Sequence, residues 1–87
     1  MDSNTTCLFD VNDIDNVLVE QVIKDVYEAL EEKGYNAVNQ IVGFLISGDP
    51  GYISTYKESR KKISKLERTQ IVEVLLRNYM SNIKWDI

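Results

Sequence analysis

The chain has 87 residues, a net charge of -4, 44% hydrophobic and 28% charged residues, one Cys and no His. This is the composition of one small globular domain, and a chain so short buries only about 60% of its unfolded surface, so a second subunit would enlarge its core. A lone Cys excludes an internal disulfide, and the lack of His excludes a Cys/His zinc site, a Ser-His-Asp triad and an imidazole base. No apolar run approaches the roughly 20 residues of a membrane span, and no basic-then-apolar leader opens the chain. A soluble, cytoplasmic protein without a membrane partner is expected.

Residues 1–12 (Met1 to Asn12) are rich in Ser, Asn, Thr and Asp and show no sustained helical period. They read as a flexible N-terminal tail whose Leu8 and Phe9 can dock. Residues 13–87 read as the helical, dimerising domain. Asp13 or Asp15 is expected to cap a first helix running to about Lys33, with Val19, Val22, Ile23, Val26 and Leu30 as its apolar stripe. Gly34 suits the left-handed position after its end. Asn36 is a suitable cap for a second helix with a stripe of Val38, Ile41, Val42 and Leu45, widened by Phe44 and Ile46. Gly43 allows another backbone to approach. Ser47-Gly48-Asp49-Pro50-Gly51 stops that helix.

Ile53 to Lys65 is expected to form a third helix. Tyr56 and Ile63 share one of its faces, and Lys57, Lys61, Lys62 and Lys65 lie mostly on the other. After a break near Leu66 to Thr69, a last helix runs from about Glu67 to Asn82. Ile71, Leu75 and Tyr79 make one stripe on it, and Val72, Leu76 and Met80 a second beside it. Apolar residues over so much of a helix imply burial on two sides, the second against another subunit. Trp85 can pack near the end. The expected fold is therefore an all-α, small single-domain helical bundle of about four helices, and a homodimer.

Charge is unevenly spread. Residues 1–34 hold nine acids and two bases, and residues 35–87 hold five acids and eight bases. The basic stretch Lys57, Arg60, Lys61, Lys62, Lys65 and Arg68 can hold an anionic partner or form a solvated face. A small nucleic-acid-binding protein using this third helix is the alternative reading, and the overall acidity weighs against it. Catalysis has little material. Glu31 and Glu32 are adjacent on a helix and point apart, so they read as a solvated helix end. Cys7 has no basic neighbour to activate it. The Ser47 to Gly51 turn lacks a phosphate-loop ending and follows a helix, and the tail acids lack EF-hand order. Asn36, Asn39 and Gln40 read as capping and hydrogen-bonding groups. No enzyme activity, metal or cofactor is expected.

Several strings carry a family resemblance: Ala29-Leu30-Glu31-Glu32-Lys33-Gly34-Tyr35-Asn36, Asn39-Gln40-Ile41-Val42-Gly43, Ser47-Gly48-Asp49-Pro50, Tyr52-Ile53, Arg60, and Lys65-Leu66-Glu67-Arg68. Together with the Thr6-Cys7-Leu8-Phe9 tail, this pattern resembles the IreB/ReoM family of small regulatory phosphoproteins of Gram-positive bacteria. The resemblance implies a helical homodimer whose tail is phosphorylated by a PASTA-type Ser/Thr kinase. It implies control of peptidoglycan synthesis through Clp-dependent degradation of MurA, the UDP-N-acetylglucosamine 1-carboxyvinyltransferase. Carried over by position, Thr6 is the phosphorylated threonine, and Arg60 and Arg68 are partner-binding arginines. Ser3 stands where some members carry a second threonine, and Thr5 has no clear counterpart. Thr55 and Ser64 occupy two further arginine positions of the family. Lys57, Lys61 and Lys62 can restore some of that charge but not a bidentate Arg contact.

Overall fold

The computed structural model describes residues 11–83, and within them the protein is all-α. Four helices follow in order: α1 (Val11–Glu32), α2 (Ala37–Ser47), α3 (Ser59–Ser64) and α4 (Arg68–Ser81). Two single 3-10 turns, Pro50–Tyr52 and Tyr56–Glu58, lie between α2 and α3. The expectations for Leu8, Phe9, Cys7 and Trp85 fall outside the described residues. Helix α1 begins at Val11, so Asp13 and Asp15 lie inside it and do not cap it.

The expected stripe of α1 is the centre of the fold. Val19, Val26 and Leu30 are fully buried, Ala29 nearly so, and Val22 and Ile23 pack partly against them. Each of the other three helices touches α1. Onto this stripe close Ala37, Ile41 and Phe44 from α2, Ile53 from the connecting segment, Ile63 from α3, and Ile71 and Val74 from α4. Burying one Leu- or Ile-sized side chain stabilises by about 1.5–3 kcal/mol. These few residues therefore account for most of what holds so small a domain together.

The buried face of α2 holds Ile41 and Phe44 as expected, with Leu45 packed partly against the core, but it is turned toward Ala37 and away from Val38 and Val42. Ala37, Ile41 and Phe44 face the core, while Val38, Val42 and Ile46 are exposed. The two apolar stripes on α2 lie roughly a third of a turn apart, and the periodicity is satisfied by either. Helix α4 repeats the pattern. It buries Ile71 and Val74, and leaves Val72, Leu75, Leu76, Tyr79 and Met80 exposed. The second stripe expected on α4 is present, but within one chain it covers nothing.

The single helix expected over Ile53 to Lys65 is replaced by irregular backbone and six residues of α3. The interruption has a local cause. Lys57 and Glu58 have φ of 52° and 64°, the left-handed region that side chains other than Gly seldom occupy. Side-chain bonds hold the bend. Ser59 is buried and its Oγ donates to the Tyr56 carbonyl at 2.7 Å, while Ser54 Oγ accepts from the Tyr56 amide at 3.1 Å.

The boundaries of α2 follow its sequence. Asn36 Oδ1 accepts the Asn39 amide at 3.0 Å, and Glu31 Oε2 accepts the Ala37 amide at 3.4 Å. Gly48, with φ of 78°, ends the helix, and its amide bonds the Phe44 carbonyl at 2.8 Å. Asp49 Oδ1 then accepts the Gly51 amide at 2.8 Å and starts the turn at Pro50. Gly43 does admit a close neighbour, but it is the Tyr52 ring and not a backbone. A Cβ there would lie 2.5 Å from Tyr52 Cδ1.

Gly34 and Gly48 both have positive φ, yet they differ in surroundings. A Cβ on Gly34 meets open space, whereas one on Gly48 would lie 2.9 Å from Cζ of Arg68. Gly34→Ala should lose about 1–2 kcal/mol from the left-handed backbone alone. Gly48→Ala should lose more, because the Arg68 guanidinium must also move. Urea unfolding of the two variants measures the difference, and equal losses would contradict the packing of Arg68 on Gly48.

Candidate functional site: the cationic segment from Ile53 to Arg68

The residues between Ile53 and Arg68 carry six bases and two acids, the most cationic run of the chain. Their geometry is set by polar pins to the helices around them. Ser54 donates its amide to Gln40 Oε1 at 2.9 Å, so the polar cluster of α2 serves capping and internal hydrogen bonding. Tyr56 is half-buried, and its hydroxyl donates to Glu32 at 3.2 Å. Lys57 Nζ lies 2.7 Å from Glu32 Oε1. The cations of Lys33 and Lys57 sit 5.2 and 5.6 Å from the Tyr56 ring centroid, within cation–π range. Glu32, expected to be merely solvated, is thus the anchor of the bend.

The two arginines carried over by resemblance both hold backbone carbonyls. Arg60 Nε donates to the Ile53 carbonyl at 2.8 Å. Arg68 Nη1 donates to the Leu45 carbonyl at 3.0 Å. Leu45 O is one of the last four carbonyls of α2, which lack partners within the helix, and a cation there also complements the helix dipole. Arg68 reaches it from the first residue of α4, so the last turn of α2 and the start of α4 are fastened together. Both guanidinium groups keep further N–H donors. Sequence periodicity holds no sign of these contacts, because they join residues 23 and 7 positions apart through backbone atoms.

Among the described residues, Arg68 does not line the hollow that Arg60 lines. Arg60 lines a hollow of about 350 Å³ with Pro50, Thr55, Glu58, Lys61 and Ser64. Lys57 and Lys62 lie on the other side of α3, in a second hollow with Asp25, Glu28, Ala29 and Glu32 of α1. The bases are therefore divided: one set is matched by acids of α1, and the other faces solvent with Glu58 as its acidic neighbour. Thr55 and Ser64 belong to the second set. Thr6 lies outside the described residues. Among the described residues, no group of three or more Cys, Asp or Glu is arranged to hold a metal ion, and no helix is long and apolar enough to cross a membrane.

The hydrogen bond and charge of Lys57 hold the Glu32 carboxyl below its ordinary value of 4.5, and Glu32 holds the Lys57 ammonium above its ordinary 10.5. A lowered carboxylate value means the stabilisation is complete above the unfolded value and disappears as pH falls through the folded one. For Lys57 it is complete below the unfolded value and disappears as pH rises through the folded one. Glu32→Gln should therefore reduce stability at neutral pH and become indistinguishable from the wild type in acid, below the folded value. Added salt should narrow the gap, since both side chains are about half exposed. Stability measured from pH 2 to 7 checks this, and a gap unchanged in acid would contradict it. Arg68→Ala should cost about 0.5–1.5 kcal/mol by removing the exposed hydrogen bond to the Leu45 carbonyl, and amide exchange should rise in the last turn of α2.

A four-helix arrangement with a pinned cationic segment does not itself define a function, and the comparison with known families supplies the next step. Residues 4–81 match the family described as IreB regulatory phosphoprotein. The match takes in Thr6, all four helices and both Arg60 and Arg68. The chain belongs to the IreB regulatory phosphoprotein family.

Proposed function

We propose that the protein is a cytoplasmic homodimer, phosphorylated on Thr6 by a PASTA-type Ser/Thr kinase, that governs peptidoglycan synthesis by modulating Clp-dependent degradation of MurA. The family match supports the regulatory-phosphoprotein part of this reading, and it extends to residue 4 and so includes Thr5 and Thr6. Regulation runs through protein contacts and not through catalysis. The exposed apolar stripes support the dimer. Ile46 is 79% exposed, Tyr79 65% and Leu76 58%, each on a stripe turned away from the core. Apolar rows of this kind, on two helices of one small domain, mark contact surfaces. Phosphorylation adds roughly -1.5 to -2 charge to a tail that already holds Asp2 and Asp10. The helices need not refold for that charge to alter which partners the dimer accepts.

Intact-mass analysis after incubation with the host's PASTA kinase domain tests the input. One phosphate on the wild type and none on Thr6→Ala is the expected result, and an unmodified wild type would overturn the kinase reading. Light scattering at tens of micromolar should give the mass of a dimer. Substituting Leu76 and Tyr79 by Glu should shift it toward the monomer while leaving the helical circular dichroism in place.

A further inference from the structure

The hollow between the Pro50 turn and α3 differs from the other concave surfaces in its chemistry. Arg60 and Lys61 supply cations, Thr55 and Ser64 supply hydroxyls, and Glu58 is the acid on its rim. Arg60 is held by Nε to the Ile53 carbonyl, so its terminal nitrogens are presented from a fixed position. Among the described residues, Lys61 makes no ion pair, in contrast to Lys57, which is held by Glu32. A preset guanidinium beside this ammonium and the Thr55 hydroxyl suits a tetrahedral dianion better than a flat carboxylate. The guanidinium fork gives two parallel donors, the ammonium adds charge, and the Thr55 hydroxyl offers one further donor, while the Ser64 hydroxyl donates to the Lys61 carbonyl at 3.1 Å.

The length of chain outside the described residues decides which anion is close. Thr6 stands five residues before Val11, a span of at most about 18 Å. The α1 residues that share a hollow with Lys62 of α3 are Asp25, Glu28, Ala29 and Glu32, and Asp25 and Glu28 lie about 21 and 25 Å along the helix from Val11. Arg60 and Lys61 are in the hollow that no α1 residue lines, around the other side of α3. Even fully stretched, a tail folded back along its own α1 falls short of this level, which leaves the tail of a second copy as the occupant.

We propose that the hollow lined by Arg60, Lys61, Thr55 and Ser64 is a phosphothreonine-docking site that receives the phosphorylated Thr6 segment of a second copy of this chain. This rests on the reading of Thr6 as the modified residue. Charge complementarity supports the pairing: residues 1–10 carry two acids and no base, and the phosphate adds about two more negative charges. Docking would cover the cations when the tail is phosphorylated and leave them open to another acidic partner when it is not.

The test uses the full-length chain as Thr6→Ala, isotopically labelled, titrated with synthetic peptides of residues 1–12 carrying either Thr6 or phosphothreonine at that position. Amide shifts confined to residues around Thr55, Arg60, Lys61 and Ser64 are expected with the phosphopeptide. The unmodified peptide should bind at least roughly tenfold more weakly. Lys61→Glu, whose side chain holds no backbone group, should abolish the shifts with the fold intact, and Arg60→Lys should weaken them while the Ile53 segment is monitored for displacement. No shifts, equal shifts with both peptides, or shifts centred on another face would overturn the proposal. Kinase labelling of Thr6 is read separately. Labelled protein without docking defeats this inference and leaves the regulatory reading standing, and failure to label defeats that reading whatever the peptides do.

Discussion

Everything in this fold depends on one helix offering a long apolar stripe to three partners too short to fold around anything else. The stripe of α1 runs from Val19 through Val26 to Leu30, and these three side chains are sealed from water while Val22 and Ile23 between them are partly buried. Helix α3 has six residues, and an isolated helix of that length is not stable in water. Its existence depends on Ile63 being buried against α1 and on the bend that delivers it there. Helix α4 buries only Ile71 and Val74. The domain is therefore a template helix with attachments.

Because hydrophobic burial is concentrated on α1, the irregular segment between α2 and α3 has to be fixed by polar contacts. Ile53 supplies its single fully buried apolar side chain, and the rest is hydrogen bonding: Gln40 to the Ser54 amide, Ser59 to the Tyr56 carbonyl, Arg60 to the Ile53 carbonyl and Glu32 to Tyr56 and Lys57. These contacts offset two successive left-handed residues, each costing about 1–2 kcal/mol. The result is that the cationic side chains stand on a rigid bend and not on a regular helix. On a helix from Ile53 to Lys65, Lys57, Lys61 and Lys65 would have shared one face. With the bend, Lys57 turns to Glu32 while Arg60 and Lys61 open onto the hollow with Thr55 and Ser64.

Local chemistry made much of this legible in the sequence. The α1 stripe, the left-handed Gly34, the Asn36 cap and the Gly48-Asp49-Pro50 stop all follow from rules acting within a few residues, and each stands where those rules place it. On α2 the expected Ile41 and Phe44 are buried, but the edge of the face did not follow, because Val38 and Val42 fit a helical period as well as Ala37 does. Choosing between them requires knowing where α1 lies. The bend at Lys57 was hidden for a related reason. Neither Lys57 nor Glu58 is a Gly or Asn, so nothing local announces a positive φ, and the Glu32 and Gln40 contacts that hold it come from 25 and 14 residues away. For the candidate site, sequence patterning identified a run of bases, and the resemblance picked out Arg60 and Arg68. That both arginines grip backbone carbonyls is a tertiary fact with no periodic signature.

That double duty bears on how variants of the cationic segment are read. Removing Arg68 withdraws charge from the surface and also frees the end of α2, so a lost contact and a loosened scaffold would give the same phenotype. Lys61 and Lys65 hold nothing in place among the described residues, so replacing them changes charge alone. Thr55 and Ser64 offer the complementary probe, since putting Arg at either position adds charge to the hollow without disturbing Arg60 and its carbonyl. A loss of function that follows Lys61 and is relieved by Ser64→Arg would be electrostatic in origin. A loss that follows Arg60 and Arg68 alone would belong to the bend, where one side chain serves both the scaffold and the surface it presents.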